Sequence, residues 1–448
     1  VATALLVLVA CSYRLDLARY HTVVGIDGLM GWWTYVLRNV DSLDAGQGFA
    51  TGTLYAPGQS VASWLVLHGL DGRDDPAVLR VVFGLVDGCA VVFVVLAGKE
   101  LLSWAAGLVA GLLYALWPAG ASASVNLLHD HSPQPLFALV GIWLVLIALR
   151  RERLVLLFVG ACLLGLPALF RADGSVVAPA LALGVATYVW RARGGLCRGA
   201  ALGAVALAGV LAPSLPYDAW ILGKTGRLQH IAMGDAGAAV FMRVGRASGI
   251  AGARNADWEI SFLGGSDDPF GFEWIDARRA SVLATFGRTL FWAHPAGYVR
   301  LVWSELRSTF TERAGRAAWW AADVPRGETR RATAPSGRME SVAASIGNAR
   351  VLQGPSDPPW IYVLGALGTL VGLFARRPGV LVPGCVAGCW MAALAALVPN
   401  SRYLLMPSCL LFPLAGVFIA LAARVVGRAV VRTVGPGRWA VGPETRVP

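Results

Sequence analysis

Residues 77–99 read AVLRVVFGLVDGCAVVFVVLAGK, a predominantly apolar run that closes on a lysine. About 18 such residues cross the hydrocarbon core of a bilayer as a helix, the form that satisfies every backbone N–H and C=O inside the segment. Similar runs recur along the chain. Its 448 residues are 56% hydrophobic and only 15% charged, where a soluble globular chain carries about a quarter charged. Mean hydropathy is +0.60. The fold class is therefore an all-α polytopic membrane protein, with about ten transmembrane helices expected from the apolar runs.

The net charge of +11 is almost entirely arginine, Lys99 and Lys224 being the only lysines. Nucleic acid is not the expected partner, because the arginines cluster in short loops between apolar runs, as the positive-inside tendency produces. The 7 cysteines lie in or beside apolar runs without metal-type spacing, so neither a disulfide framework nor a zinc site is indicated. The heavy use of Arg, Ala, Gly and Val suggests a GC-rich genome, and the expected location is a bacterial cytoplasmic membrane.

The basic loops orient the spans. Arg150–Arg153, Arg191–Arg198, Arg376–Arg377 and Arg424–Arg432 are expected on the cytoplasmic side together with Lys99. The run Val1–Cys11 is too short to span alone and fits a signal peptide poorly. It reads as the outer part of a first span ending near Ser12, which delivers a first outer loop (13–76). Within that loop Val61–Leu70 suits an interfacial helix. Further spans are expected at about 77–97, 102–120, 135–149, 154–170, 175–190, 199–217, 360–375, 379–398 and 404–422. An N-terminal transmembrane module (1–217) is thus followed by a long extracytoplasmic segment (218–358). That segment includes an interfacial helix pair around Phe286–Phe310 and a mobile loop at 322–358. C-terminal spans (359–423) and a basic tail (424–448) complete the chain.

This threading brings five charged clusters to the outer face: Asp27, Arg80, His129-Asp130-His131, Arg171 with Asp173, and Arg402 with Tyr403. Asp27 belongs to the stretch Tyr20–Ser60, in which Trp32, Trp33 and Tyr35 precede a turn at Tyr55–Gly58. Taken singly, each cluster reads as an interface anchor. Together they suit sugar transfer from a polyprenyl phosphate, whose tail lies in the bilayer and whose anomeric carbon sits at the interface. A carboxylate takes the proton of the attacking hydroxyl, and arginine forks meet the charge of the departing phosphate.

The order of parts resembles the GT-C glycosyltransferase superfamily, including protein O-mannosyltransferases and aminoarabinose transferases. The resemblance runs from residue 20 to about 423. It rests on Asp27-Gly-Leu-Met-Gly-Trp-Trp-Thr-Tyr, Tyr55-Ala-Pro-Gly, Val78-Leu-Arg80-Val, Leu113-Tyr-Ala-Leu-Trp-Pro118, His129-Asp130-His131-Ser-Pro133 and Ser401-Arg402-Tyr403 with Pro407. It implies that Asp27 is the catalytic base and that Asp130 orients acceptor or sugar. It also implies phosphate contacts at Arg171 and Arg402. Arg80, Tyr403, Tyr55, His129 and His131 complete the expected substrate and lipid-phosphate site. Two departures stand out: Gly28 follows Asp27 where many members carry an acidic pair, and Ala56 stands where the aminoarabinose transferases have a lysine.

Adjacent residues such as His129, Asp130 and His131 cannot all face one ion on regular backbone. No metal site is assigned, though a divalent cation is compatible with the cluster. The expected partners are a polyprenyl-phosphate sugar donor, a lipid, glycan or protein acceptor, and membrane lipids. The expected activity is inverting transfer to an acceptor hydroxyl on the extracytoplasmic face. The alternatives are a flippase for a lipid-linked glycan, which calls for charges mid-span, and a non-catalytic assembly subunit.

Overall fold

The computed structural model describes residues 1–20, 32–49, 56–70, 76–125, 132–226, 289, 291–300, 302–303, 359–397 and 405–434. Among them all regular structure is helical. The segment expected as the first outer loop follows α1 (Ala2–Tyr20) and contains α2 (Trp32–Asp44) and α3 (Gly58–Gly69). Then come α4 (Pro76–Leu101), α5 (Trp104–Ala115), α6 (Pro118–Val125), α7 (Gln134–Arg151) and α8 (Leu154–Gly165). Two 3₁₀ turns, Leu166–Leu169 and Ala172–Val176, lead to α9 (Val177–Arg193), α10 (Leu196–Leu211) and α11 (Leu215–Thr225). The C-terminal part holds α12 (Pro359–Phe374), α13 (Leu381–Leu397), α14 (Leu405–Ser408) and α15 (Leu411–Val434).

Among the described residues, 5 helices are long and apolar enough to cross a membrane, or 6 if the bent pair α5–α6 is one span. Three details depart from the expected spans. The third is broken: Pro118 opens α6, which bends 54° from α5, since proline lacks the N–H and its ring clashes with the preceding turn. The fifth leaves α-helical geometry at Gly165 and tightens into a 3₁₀ turn carrying Pro167. The first does not stop at Ser12; α1 continues through Arg14 to Tyr20. Of the expected pair around Phe286–Phe310, residues 295–300 are helical and Trp292 and Trp303 are exposed. The expected loop at 322–358 lies outside the described residues.

Helix pairs meet through small residues, as close backbone approach in a membrane requires. A Cβ on Gly141 of α7 would meet the Gly160 carbonyl oxygen of α8 at 2.7 Å, and one on Gly203 of α10 the Ala182 carbonyl oxygen of α9 at 2.9 Å.

Arg14 would be costly mid-bilayer if unpaired. Its Nε donates to Asp87 Oδ2 at 2.6 Å, with both side chains 0% exposed. Its Nη1 donates to the carbonyls of Ala10 (3.2 Å) and Ala115 (3.3 Å), and Tyr114 donates its hydroxyl to Asp87 Oδ1 at 2.7 Å. The network ties α1, α4 and α5 together. Asp87 lies within the candidate span Val78–Leu101, away from either end.

The basic loops gather at one end of the bundle. Arg150 pairs with Glu100 at 3.0 Å, and Arg193 and Arg198 both reach Glu152 at 2.6 Å. Gly379, just beyond Arg377, packs near Leu101 and Leu146. Phe412 at the start of α15 packs on Trp117, and Gly416 lies against Ala106 near the start of α5, so α15 runs toward this same end. The hydrogen bond from Arg198 and the nearby Arg193 hold the Glu152 carboxyl below the usual glutamate range. A folded-state pKa depressed in this way stabilises above the unfolded value, and the contribution fades as pH falls through the folded one. Glu152→Gln is therefore expected to lower Tm slightly at pH 7, by no more than about 2 °C for so exposed a pair. Melting curves of both proteins should converge as pH falls through the depressed Glu152 value.

Candidate active site

The opposite end is where α1, α6 and α11 finish and where α4 and α7 begin. Arg80, in the first turns of α4, donates through Nε to the Val125 carbonyl at 2.8 Å and through Nη2 to the Leu17 carbonyl at 3.4 Å. These carbonyls belong to the last turns of α6 and α1. Tyr13, Leu17, Ala121 and Val125 form a small buried apolar cluster beside them. Ser132, just before α7, donates its hydroxyl to the Phe83 carbonyl at 3.1 Å.

Helices α2 and α3 pack here too. Val36 and Val40 of α2 and Leu67 of α3 bury against Leu79 and Phe83 of α4. Asn39 Nδ2 donates to Ser60 Oγ at 3.0 Å, so α2 and α3 are joined by a buried polar bond as well as by side-chain packing. Asp44 at the end of α2 accepts from Trp64 Nε1 at 2.6 Å and lies 3.3 Å from His68 Nδ1. Phe49 stands edge-on to Tyr217 and Trp220 of α11, at 5.6 and 5.4 Å between ring centroids. Gly58, opening α3, sits so close to the 3₁₀ turn after α8 that a Cβ would meet the Leu169 carbonyl oxygen at 2.7 Å.

Arg171 lies next to that contact. The turn around it is fixed by its backbone N–H donating to the Pro167 carbonyl at 3.1 Å and by Gly174 N–H donating to the Arg171 carbonyl at 2.9 Å. Its side chain is half-buried at the end of the bundle where α2 and α3 pack. Arg80 and Arg171 thus share the end opposite the basic loops. Asp27, Tyr55, His129, Asp130, His131, Arg402 and Tyr403 lie outside the described residues, as does the side chain of Asp173. What the structure fixes for them is where their segments leave the bundle. Asp27 follows α1, the cluster 129–131 follows α6 and precedes α7, and Arg402 precedes α14.

Sequence reasoning missed Asn39, Ser60 and the Phe49–Tyr217–Trp220 group, which are recognisable only once α2 and α3 are joined and Phe49 is packed on α11. It also missed Arg14 and Asp87. A signal for these was present, because two opposite charges interrupt consecutive apolar runs.

No protein-family model and no curated protein matches the sequence. Solved structures do match in fold. The oligosaccharyltransferase of Archaeoglobus fulgidus in its apo form has a TM-score of 0.51 at 13% identity, covering 97% of this chain and 52% of that one. The AglB oligosaccharyltransferase of the same organism, in complex with an inhibitory peptide and a dolichol-phosphate, has a TM-score of 0.53 at 15% identity, covering 97% and 51%. A third structure, of the A. fulgidus oligosaccharyltransferase with Zn and sulfate, has a TM-score of 0.52 at 14% identity, covering 98% and 52%. The likeness is one of fold, and the chain spans about half the length of these enzymes.

Proposed function

We propose that the chain is an integral-membrane glycosyltransferase of GT-C type that moves a sugar from a polyprenyl phosphate to an acceptor hydroxyl, with inversion. The observation that carries this reading is the fold likeness over 97% of the chain to an enzyme whose structure holds a dolichol-phosphate and an inhibitory peptide. Two acidic segments leaving the end of the bundle opposite the basic loops support it further.

In this account that end is extracytoplasmic, in the bacterial plasma membrane, and about ten crossings thread the chain, the shorter apolar helices included. Asp27 takes the proton of the acceptor hydroxyl as its oxygen attacks the anomeric carbon. The carbon–oxygen bond to phosphate breaks, and its electron pair leaves with the polyprenyl phosphate. Arg171 and Arg402 meet the charge on that leaving group, with Tyr403 beside them. Asp130 orients sugar or acceptor, and Tyr55, His129 and His131 line the binding site. The segment 218–358 helps to select the acceptor. No step is routed through a metal, and assays with and without EDTA decide whether a divalent cation is needed.

The flippase alternative calls for charged groups mid-span along a passage. The mid-span charges Arg14 and Asp87 are paired to each other and fully buried, which favours a structural tie over a translocation route. Purified protein incubated with a radiolabelled polyprenyl-phosphate sugar and membrane extract is expected to produce labelled acceptor. Translocation without turnover supports the flippase, and the absence of both supports an assembly subunit.

A further inference from the structure

Arg80 was expected among the phosphate contacts, yet its described bonds go to backbone. Its Nε and Nη2 form the side-on fork of the guanidinium, and the fork grips Val125 and Leu17 carbonyls from two different helices. These carbonyls fall in the last turns of α6 and α1, where intrahelical donors run out. The face of α4 that carries Arg80 is built for the contact. One turn on, a Cβ at Gly84 would meet Val125 Cγ1 at 2.9 Å and Arg14 Cβ at 3.4 Å, and one at Gly88 would meet Cys11 Sγ at 2.7 Å. Arg80, Gly84, Asp87 and Gly88 recur at helical spacing, so a single face of α4 receives α1 and the end of α6.

We infer that Arg80 is a positioning residue, a clamp that sets the separation between the roots of the two acidic segments carrying Asp27 and Asp130. Its consequence for catalysis rests on the transferase reading; the clamp itself rests on geometry. The base and the residue that orients its substrate depart from different helices. Their relative placement therefore depends on what holds those helix ends together, and a misplacement of about 1 Å can cost roughly 10²-fold in rate. A lysine keeps the charge, but it offers donors from a single point and cannot reproduce the planar fork.

The test pairs hydrogen–deuterium exchange with kinetics on the purified full chain, comparing Arg80→Gln and Arg80→Lys with the parent. In Arg80→Gln, exchange is expected to rise roughly tenfold at both 12–20 and 118–125, with α9 and α10 unchanged as the control for folding. In Arg80→Lys it rises at least at one of these ends. In both variants kcat falls, by roughly 10²-fold in Arg80→Gln, while KM for the polyprenyl-phosphate sugar stays within about threefold. Unchanged exchange at both helix ends in Arg80→Gln overturns the clamp. So does a loss confined to donor KM that Arg80→Lys restores, the signature of direct phosphate contact. Exchange reads the clamp without turnover, so an inactive parent protein would remove the transferase reading while the clamp is still decided. Should Arg80→Gln fail to accumulate, Arg80→Lys carries the comparison.

Discussion

Asp27→Asn is expected to lower sugar transfer by roughly 10²–10⁴-fold, the contribution of a positioned general base, while the protein still inserts and accumulates. The substitution keeps size and shape while removing the negative charge and the ability to accept a proton. The Arg14–Asp87 network that ties α1, α4 and α5 together is made by other residues. KM for the lipid-linked donor should change little, because the carboxylate acts on the acceptor. Asp130→Asn is expected to cost less and to act partly through acceptor KM. Initial rates on purified variants check both, and full transfer by Asp27→Asn would remove this residue from the mechanism.

Asp87→Ala is expected to destabilise the fold by about 3–5 kcal/mol, because it strands the Arg14 guanidinium without its counter-charge in a fully buried site. Tyr114 would also lose the acceptor of its hydroxyl, which lies 2.7 Å away. Replacing both charges, Arg14→Leu with Asp87→Leu, should recover much of the loss, since an apolar pair of similar volume often matches a buried ion pair. Tyr114→Phe should cost only about 1–2 kcal/mol. Thermal melts in detergent of the parent, Arg14→Leu, Asp87→Leu and the double variant make a mutant cycle. A double variant as unstable as the sum of its single variants would mean that the two charges do not act as a pair.

The helices were largely legible in the sequence, for a physical reason: in a bilayer each span must satisfy its own backbone and present an apolar surface, so composition alone marks it. The gathering of Arg150, Arg193, Arg198 and Arg377 toward one end was legible from charge bias in the loops. What escaped were features decided by a second segment. A hydropathy reading treats Arg14 as the end of a span, yet α1 continues to Tyr20 because Asp87, on another helix, neutralises it. Pro118 was visible, but whether it would bend a span or end one depends on the packing of Trp117 against Phe412 at 5.1 Å. At the candidate site the sequence pointed to charged residues near span ends. It did not reveal that Arg80 would spend its fork on the carbonyls of Leu17 and Val125, since backbone acceptors carry no mark in a sequence.

The central claim is that Asp27 and Arg402 open onto one phosphate-binding site at the outer leaflet. The most direct measurement uses the Asp27→Cys variant, with the 7 native cysteines replaced, and a membrane-impermeant maleimide applied to intact cells and then to purified protein. The account predicts labelling from outside, slowed by polyprenyl phosphate when Arg402 is present and no longer slowed once Arg402→Gln is added. Labelling only from the cytoplasmic side, or at a rate indifferent to the lipid phosphate, would contradict it.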